Sequence, residues 1–463
     1  MTVIKPFCST ILLASLLFLA AGCASLPNVS QMIDDIQPGR SNPRVASAKG
    51  LLSPEKSKAI LARVKGSVDP TDLLERYSAV VETITDSPLI KGNRVALLAD
   101  GEATYAAMFQ AIESAKYHIN LESFIFEDDE AGRKFADRLL QKRAEGVKVH
   151  LMYDAVGSMN TPEAFFQRLR SAGIEVVCFN PLNPLEHRDE WGLTHRDHRK
   201  ILIVDGRLAI MGGVNISKVY SSSPRRRQQN GKTPIHWRDT DIRIEGPAVG
   251  ELQKLFIDSW LRQKGPAIYG PEYFPLYKEQ GNALVQVVGS TPGEDNRIPF
   301  VVYVSALSFA EHSIHLTNSY FIPDAQIEKG LTDAVKRGVD VKVIVPGVSD
   351  SKLALYAQRS HYTGLLKAGV QIFEHSNSFL HAKTAVLDGI WSTVGSTNLD
   401  YLSLMSNDEV NAVILDRAFA VQMEQMFARD LADSKPIVLK EWKERPLFPR
   451  MGEWLVNLFV RWL

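Results

Sequence analysis

THRDHRKILIVDGRLAIMGGVNIS (Thr194–Ser217) and FLHAKTAVLDGIWSTVGSTNLD (Phe379–Asp400) are one string written twice, about 180 residues apart. Each reads His-x-Lys, four residues, Asp, six residues, then Gly, a small residue, any residue and Asn. The runs KILIVD after His198 and KTAVLD after His381 are unbroken and apolar, which predicts strands buried on both faces. Residues two apart on a strand share a face, so His198 and Lys200 point together, as do His381 and Lys383.

The repetition extends well beyond the two strings. AKYHINLESFIF (Ala115–Phe126) matches AEHSIHLTNSYFI (Ala310–Ile322), both with the alternation of a strand. Helical stretches follow, AGRKFADRLLQKRAEG (Ala131–Gly146) and QIEKGLTDAVKRG (Gln326–Gly338). GVKVHLMYD and GVDVKVIVPG then supply Val-rich strands after a Gly stop. A second helix and strand come next in each half, ending in IEVVCF and VQIFEH. Alternating strands and helices predict two α/β halves, each with a mostly buried sheet. A duplication within one chain places equivalent strings across a pseudo-twofold axis.

The chemistry follows from that meeting. Two imidazoles and two ammonium groups in one pocket suit an anion with several oxygens, a phosphodiester best of all. The lysines balance its charge, and Asn215 and Asn398 are expected to donate further hydrogen bonds. One histidine can attack phosphorus while the other protonates the departing alcohol. Each needs its second ring nitrogen held by an acceptor. HWRDTDIRIEG supplies Asp239 and SNDEVNAVILD supplies Glu409. Asp205 and Asp388 lie seven residues after their histidines, on the opposite face of an ideal strand, and are expected to hold the strand end or turn. No carboxylate cluster accompanies the pocket, so no metal or cofactor is expected.

These residues are the signature of the phospholipase D superfamily: His198, Lys200 and Asp205, then His381, Lys383 and Asp388, with GGVN and GSTN following. The resemblance runs from about Arg94 to Ala432. Within it, NLESFIFEDD, NSYFIPD, LLKAGVQIFEH and GSTNLDYLSLMSNDEVN are similar to bacterial cardiolipin synthases. It implies two α/β/α sandwich halves with mixed sheets and the active site at their interface. It also implies a phosphohistidine on His198, with His381 as general acid and then base, and Asp239 and Glu409 orienting the rings. Phosphatidylglycerol would lose glycerol, and a second lipid alcohol would complete cardiolipin. With water as acceptor the same residues make a hydrolytic phospholipase D releasing phosphatidic acid. Some members of the superfamily are nucleic-acid phosphodiesterases, and a non-catalytic lipid-binding scaffold is a further alternative.

Charge bears on the partner. The 463 residues carry 53 Lys and Arg against 53 Asp and Glu, a formal net charge of zero, which argues against nucleic acid. Phospholipids at a membrane surface are the expected partners. One chain carries both strings, so a monomeric catalytic unit is expected.

The chain divides as a signal peptide (1–22), a lipidated tether (23–54), a helical segment (55–90), two halves (91–270 and 271–435) and a C-terminal amphipathic region (436–463). The first stretch has one early cation, Lys5, an apolar run from Ile11 to Ala20, and LAAGC. That ending resembles a lipoprotein box with Cys23 lipidated, though Ala20 stands where the box has Leu. Ala24 in place of a retaining Asp favours an anchor on the periplasmic side of the outer membrane over the inner one. Cys178, alone in IEVVCFNP, is expected as a buried strand residue. In MGEWLVNLFVRWL (Met451–Leu463), Met451, Trp454, Leu455, Leu458, Phe459 and Trp462 fall on one helical face, as an interfacial helix or a docked terminal one requires. Arg225–Arg227 reads as a solvated loop able to meet anionic lipid.

Overall fold

The computed structural model describes residues 26–35, 44–66, 72–85, 87–183, 195–221, 236–292 and 297–457. The expected signal segment, Cys23, Arg225–Arg227 and 458–463 lie outside them. The first half contributes strands β1 (Leu89–Leu98), β2 (His118–Ser123), β3 (Lys148–Asp154), β4 (Glu175–Phe179), β5 (Lys200–Val204), β6 (Leu208–Gly212) and β7 (Asp241–Glu245). Its helices are α1 (Gly101–Ser114), α2 (Glu130–Ala144), α3 (Glu163–Ser171) and α4 (Val249–Arg262). The second half contributes β8 (Ala283–Ser290), β9 (Ser313–Asn318), β10 (Asp340–Pro346), β11 (Gln371–His375), β12 (Lys383–Leu387), β13 (Trp391–Gly395) and β14 (Asn407–Leu415). Its helices are α5 (Ile298–Phe309), α6 (Ala325–Lys336), α7 (Lys352–Ala368), α8 (Arg417–Ala432) and, at the end, α9 (Leu447–Asn457).

The halves repeat one topology. The first sheet runs β4-β3-β2-β5-β6-β7-β1, with β2, β3 and β4 parallel and the rest antiparallel. The second runs β11-β10-β9-β12-β13-β14-β8 in the same senses. β1 and β8 pair antiparallel and join the two. The mixed, two-half α/β architecture is therefore the one expected. Every residue of β5 and β12 is buried, because helices cover both faces. Outer cores form around Phe126, Phe135 and Phe166 in the first half, and around Phe300, Leu331 and Trp391 in the second. A central core is shared, with Phe256 and Trp260 of α4 and Phe419 and Met423 of α8 in one cluster.

Some expected boundaries are refined by packing. Val29 is fully buried and its N–H donates to Gln326 at 2.8 Å, and Val45–Ser47 pairs in parallel with the start of β1. Part of the stretch read as a tether is thus folded onto the body; its Ser, Pro and Gly content masked a few apolar anchors. Cys178 sits on β4 but is only half-buried, and burial pushes its thiol up to about 11.

Each string ends β5 or β12 with a tight turn. Asp205 and Gly206 have φ of 52° and 60°, Asp388 and Gly389 of 51° and 58°, the conformation Asp and Gly tolerate best. The Asp205 carboxylate accepts the backbone N–H groups of Lys116, Tyr117 and His118 at 2.7–2.9 Å. Asp388 accepts those of Glu311, His312 and Ser313 at 2.8–3.0 Å. Each aspartate pins the start of the neighbouring strand, at the end of the sheet away from its histidine. Asp205→Ala is expected to lower the unfolding free energy by about 2–4 kcal/mol, through three orphaned N–H groups and a residue forced to positive φ. Asp388→Ala should do the same, and chemical denaturation with a linear extrapolation measures both.

Candidate active site

The site is built by two short parallel ladders that cross between the halves. Arg196–Asp197, just before His198, pairs with Asn407–Asp408, just before Glu409. Trp237–Arg238, just before Asp239, pairs with Phe379–Leu380, just before His381. The His198 N–H donates to the Asp408 carbonyl at 2.9 Å, and the His381 N–H to the Arg238 carbonyl at 2.8 Å. Each histidine is thereby delivered to the acid of the other half. His198 Nδ1 lies 3.1 Å from both oxygens of Glu409, and His381 Nδ1 lies 2.6 Å from Asp239 Oδ2. The two rings face each other with centroids 6.5 Å apart and planes at 74°.

Lys200 and Lys383 are buried beside them, each Nζ donating to the carbonyl of its own histidine. Glu409 in turn accepts from the hydroxyls of Ser396 and Ser403. Asn215 is occupied within the fold: its Oδ1 accepts from the Ile125 N–H at 3.0 Å and its Nδ2 donates to Tyr220 at 3.1 Å. Tyr220 Oη lies 3.4 Å from His381 Nδ1, so Asn215 stands two hydrogen bonds from the ring. Asn398 Oδ1 accepts from Ser319 at 2.6 Å. Half-buried aromatic rings border the pocket: Phe124 edge-on to His198 at 5.1 Å, and Trp237 and Tyr320 at 4.8 and 6.3 Å from His381.

Reading the strings alone missed the charges that lock the ladders. Asp408 is fully buried and accepts from His195 at 2.7 Å, Arg199 at 2.9 Å and Arg262 at 2.7 Å. On the other side Arg238 forks onto Asp430 of α8 at 2.6 and 3.0 Å. Arg238 and Asp408 each sit one residue before an orienting acid, and that adjacency was the available signal.

Burial sets the protonation of the pocket. It holds His198 below the ordinary imidazole value despite Glu409. It brings His381 down to about 4, helped by Lys383 and opposed by Asp239. Burial also lowers Lys200 to about 7, with Glu409 opposing, and Lys383 to about 8, with Asp239 and Glu409 opposing. Both imidazoles are thus neutral near pH 7, with Nδ1 turned to a carboxylate and Nε2 on the side away from it. The lysines stand close to their titration points.

The halves that meet here are matched separately by one family model, "Cardiolipin synthase, PLD-like domain", over residues 108–226 and 303–431. The chain belongs to the phospholipase D superfamily, close to the cardiolipin synthases. "Cardiolipin synthase" of Geobacillus thermodenitrificans (strain NG80-2) is 34% identical over 374 residues, 80% of this chain and 72% of the relative. "Major cardiolipin synthase ClsA" of Bacillus subtilis (strain 168) is 36% identical over 367 residues, 78% of this chain and 73% of the relative. Among solved structures, phosphatidylserine synthase of Haemophilus influenzae Rd KW20 shares the fold, with a TM-score of 0.61 at 14% identity over 84% of this chain and 97% of its own. The family match and the cardiolipin synthase relatives make the chain an enzyme, a phospholipase D-type phosphatidyltransferase acting on phospholipid.

The relatives correct one expectation. A lipid anchor on the periplasmic side, with the outer membrane favoured, does not stand, because these cardiolipin synthases come from Bacillus and Geobacillus, bacteria without an outer membrane. The reading leaned on a lipoprotein box with Ala20 in place of its Leu and on Ala24, short-range signals separate from the superfamily fold. Among the described residues, no helix is long and apolar enough to cross a membrane.

The pocket's charge state generates a pH prediction. Anion binding favours the ammonium forms of Lys200 and Lys383, which in the empty pocket lose their protons at about 7 and about 8. Sulfate, whose own charge is constant there, should therefore bind with proton uptake in that window, and more weakly as pH rises through it. Titration calorimetry in two buffers of different ionisation enthalpy measures the uptake; a buffer-independent heat would contradict it.

Proposed function

We propose that this protein is a cardiolipin synthase working through a phosphohistidine on His198. The observation that supports this best is the facing pair of histidines, each with Nδ1 on a carboxylate of the opposite half. In the first step Nε2 of His198 attacks the phosphorus of phosphatidylglycerol. A P–N bond forms and the P–O bond to glycerol breaks, and His381 gives its proton to the departing glycerol oxygen. The substrate's negative charge, placed against a ring that burial keeps neutral, lets His381 hold that proton. In the second step His381 takes the proton of a second phosphatidylglycerol hydroxyl, whose oxygen attacks phosphorus as the P–N bond breaks. Cardiolipin leaves and both imidazoles return to their starting state.

Lys200 and Lys383 neutralise the phosphoryl oxygens in both steps. Glu409 and Asp239 hold the tautomers and stabilise the imidazolium forms. Asp205 and Asp388 act at a distance, by tying the ends of the strands that carry the lysines to the neighbouring β2 and β9. One chain completes the site, so the catalytic unit is a monomer, composed of halves at 91–270 and 271–435.

Incubation with phosphatidylglycerol vesicles, following glycerol, cardiolipin and phosphatidic acid, tests the reading. Equimolar glycerol and cardiolipin are expected; phosphatidic acid as the sole lipid product would make the protein a hydrolase. His198→Ala should lower turnover by about a thousandfold or more. His381→Ala should slow transfer most where the leaving alcohol is poor, and with a good leaving alcohol should let a phosphatidylated His198 accumulate, seen by mass spectrometry of a rapidly quenched digest. Phosphate trapped on His381 in an otherwise intact enzyme would reverse the assignment.

A further inference from the structure

Helix α9 is latched to the body the wrong way round for a helix that exists only to be packed. Its inward side carries a charge: Glu453 is 7% exposed and receives the Arg445 guanidinium in a fork of 2.7 and 3.1 Å. Arg445 also donates to the Trp442 carbonyl at 3.0 Å, and Gly452 lies against the Tyr356 ring. The outward side carries the apolar residues: Met451, Trp454 and Leu455 are 62%, 63% and 50% exposed. They stand at positions i, i+3 and i+4, one continuous stripe. A stripe with a tryptophan, held rigid and turned to the outside, is a surface awaiting an apolar partner.

Helix α9 itself is tied to the two-histidine pocket through one cluster of side chains. Val456 of α9 packs with Ile322 and Tyr320 in one cluster. The Tyr320 ring is 6.3 Å from that of His381, and its hydroxyl donates to Asp350 at 2.7 Å. Three residues beyond Asp350, Leu353 is 56% exposed. The Ile322 N–H donates to the Leu399 carbonyl at 3.0 Å, and nearby Leu402 is 41% exposed. Exposed large apolar side chains thus occur on three segments that each connect to residues near the pocket.

We propose that Met451, Trp454, Leu455, Leu353 and Leu402 form the surface by which this enzyme rests on a phospholipid bilayer, setting the pocket mouth at headgroup depth. The proposal rests on the phospholipid chemistry given above. The occupant it names is the bilayer, because the exposed stripe is carried by a helix that packs on Ile322 and Tyr320, beside the pocket that must take a phospholipid headgroup while its acyl chains stay behind. Tryptophan suits that boundary, with an apolar ring and a polar N–H. The latch keeps the stripe turned away from the body, so contact needs no refolding.

The test uses the full chain. Wild type and Trp454→Phe are mixed with phosphatidylglycerol vesicles with and without brominated acyl chains, and the difference between the two proteins isolates Trp454 fluorescence. A triple variant, Met451→Glu, Trp454→Glu and Leu455→Glu, is assayed on vesicles and on monomeric short-chain phosphatidylglycerol. Bromine quenching of Trp454 is expected, with about a tenfold loss of the triple variant's turnover on vesicles and unchanged turnover on the monomeric lipid. Unquenched Trp454, or undiminished vesicle turnover by the triple variant, would overturn the proposal. So would a fall in solution mass on substitution, which would assign the stripe to a second copy, or Trp454 already shielded from acrylamide without vesicles, which would assign it to the chain's own 458–463. Wild type that is quenched yet turns over neither lipid would instead overturn the phospholipid reading and leave the bilayer contact standing.

Discussion

Two dipeptide ladders between the halves hold the site together. A strand pairing fixes register to a single residue, and neighbouring side chains on a strand point to opposite sides. Where Asn407–Asp408 pairs with Arg196–Asp197, Asp408 turns into the arginine cluster and Glu409 turns to His198. A slip of one residue would exchange them. The shorter carboxylate would face the imidazole and Glu409 would meet Arg199 and Arg262. The buried charges on Asp408, and the Arg238–Asp430 fork on the other side, penalise that slip. Buried ion pairs add little net stability, but an unpaired buried charge is expensive, so such pairs select one register over its neighbours.

The duplication supplies geometry and its divergence supplies chemistry. Counting from the shared Gly-x-x-Asn, Ser396 and Ser403 of the second half correspond to Gly213 and Tyr220 of the first. The two serines donate to Glu409. At Gly213 there is no room for a serine, since a Cβ would come within 2.2 Å of Asp239 Oδ1. Tyr220 approaches His381 itself instead of its acid. One histidine therefore has a longer carboxylate held by two hydroxyls and meeting it through both oxygens. The other has a short carboxylate at 2.6 Å and a phenol beside it. A two-step transfer needs one ring to take phosphorus and another to move protons. Two identical dyads would have no reason to divide those tasks.

The sequence showed what repetition and local periodicity can show. Repeated strings and Val-rich runs predicted two equivalent α/β halves, and the same residues pointed to the superfamily. Asp239 and Glu409 could be picked out as acids at matching places, but not matched to their rings. Those contacts span 142 and 211 residues and depend on which strands the halves exchange. The role of Arg199 was hidden inside the string itself, because the His-x-Lys pattern treats that position as arbitrary. Its three acidic neighbours Glu122, Asp197 and Asp408 come from separate segments, two of them in the first half and one in the second. The N-terminal anchors Val29 and Val45 were hidden in polar surroundings, and the outward turn of α9 could not be read because Glu453 finds Arg445 only in three dimensions.

A phosphohistidine reacts with whichever hydroxyl reaches it first, and water is always the most abundant. Transfer between lipids therefore needs more than the two dyads, which would serve hydrolysis equally well. Part of the answer is enclosure: His198 and His381 are 8% and 6% exposed, within aromatic edges that leave little room for bulk solvent. The rest is supply. A pocket whose mouth lies at a bilayer meets lipid hydroxyls at the concentration of the headgroup layer, held in the same plane as the first substrate. The low-charge state of the empty pocket serves the same end. Lysines poised near neutrality cost less to hold in a buried site between turnovers, and they gain their full charge as a phosphate arrives. On this argument the choice between transferase and hydrolase lies less in the catalytic residues than in the direction in which the fold turns them.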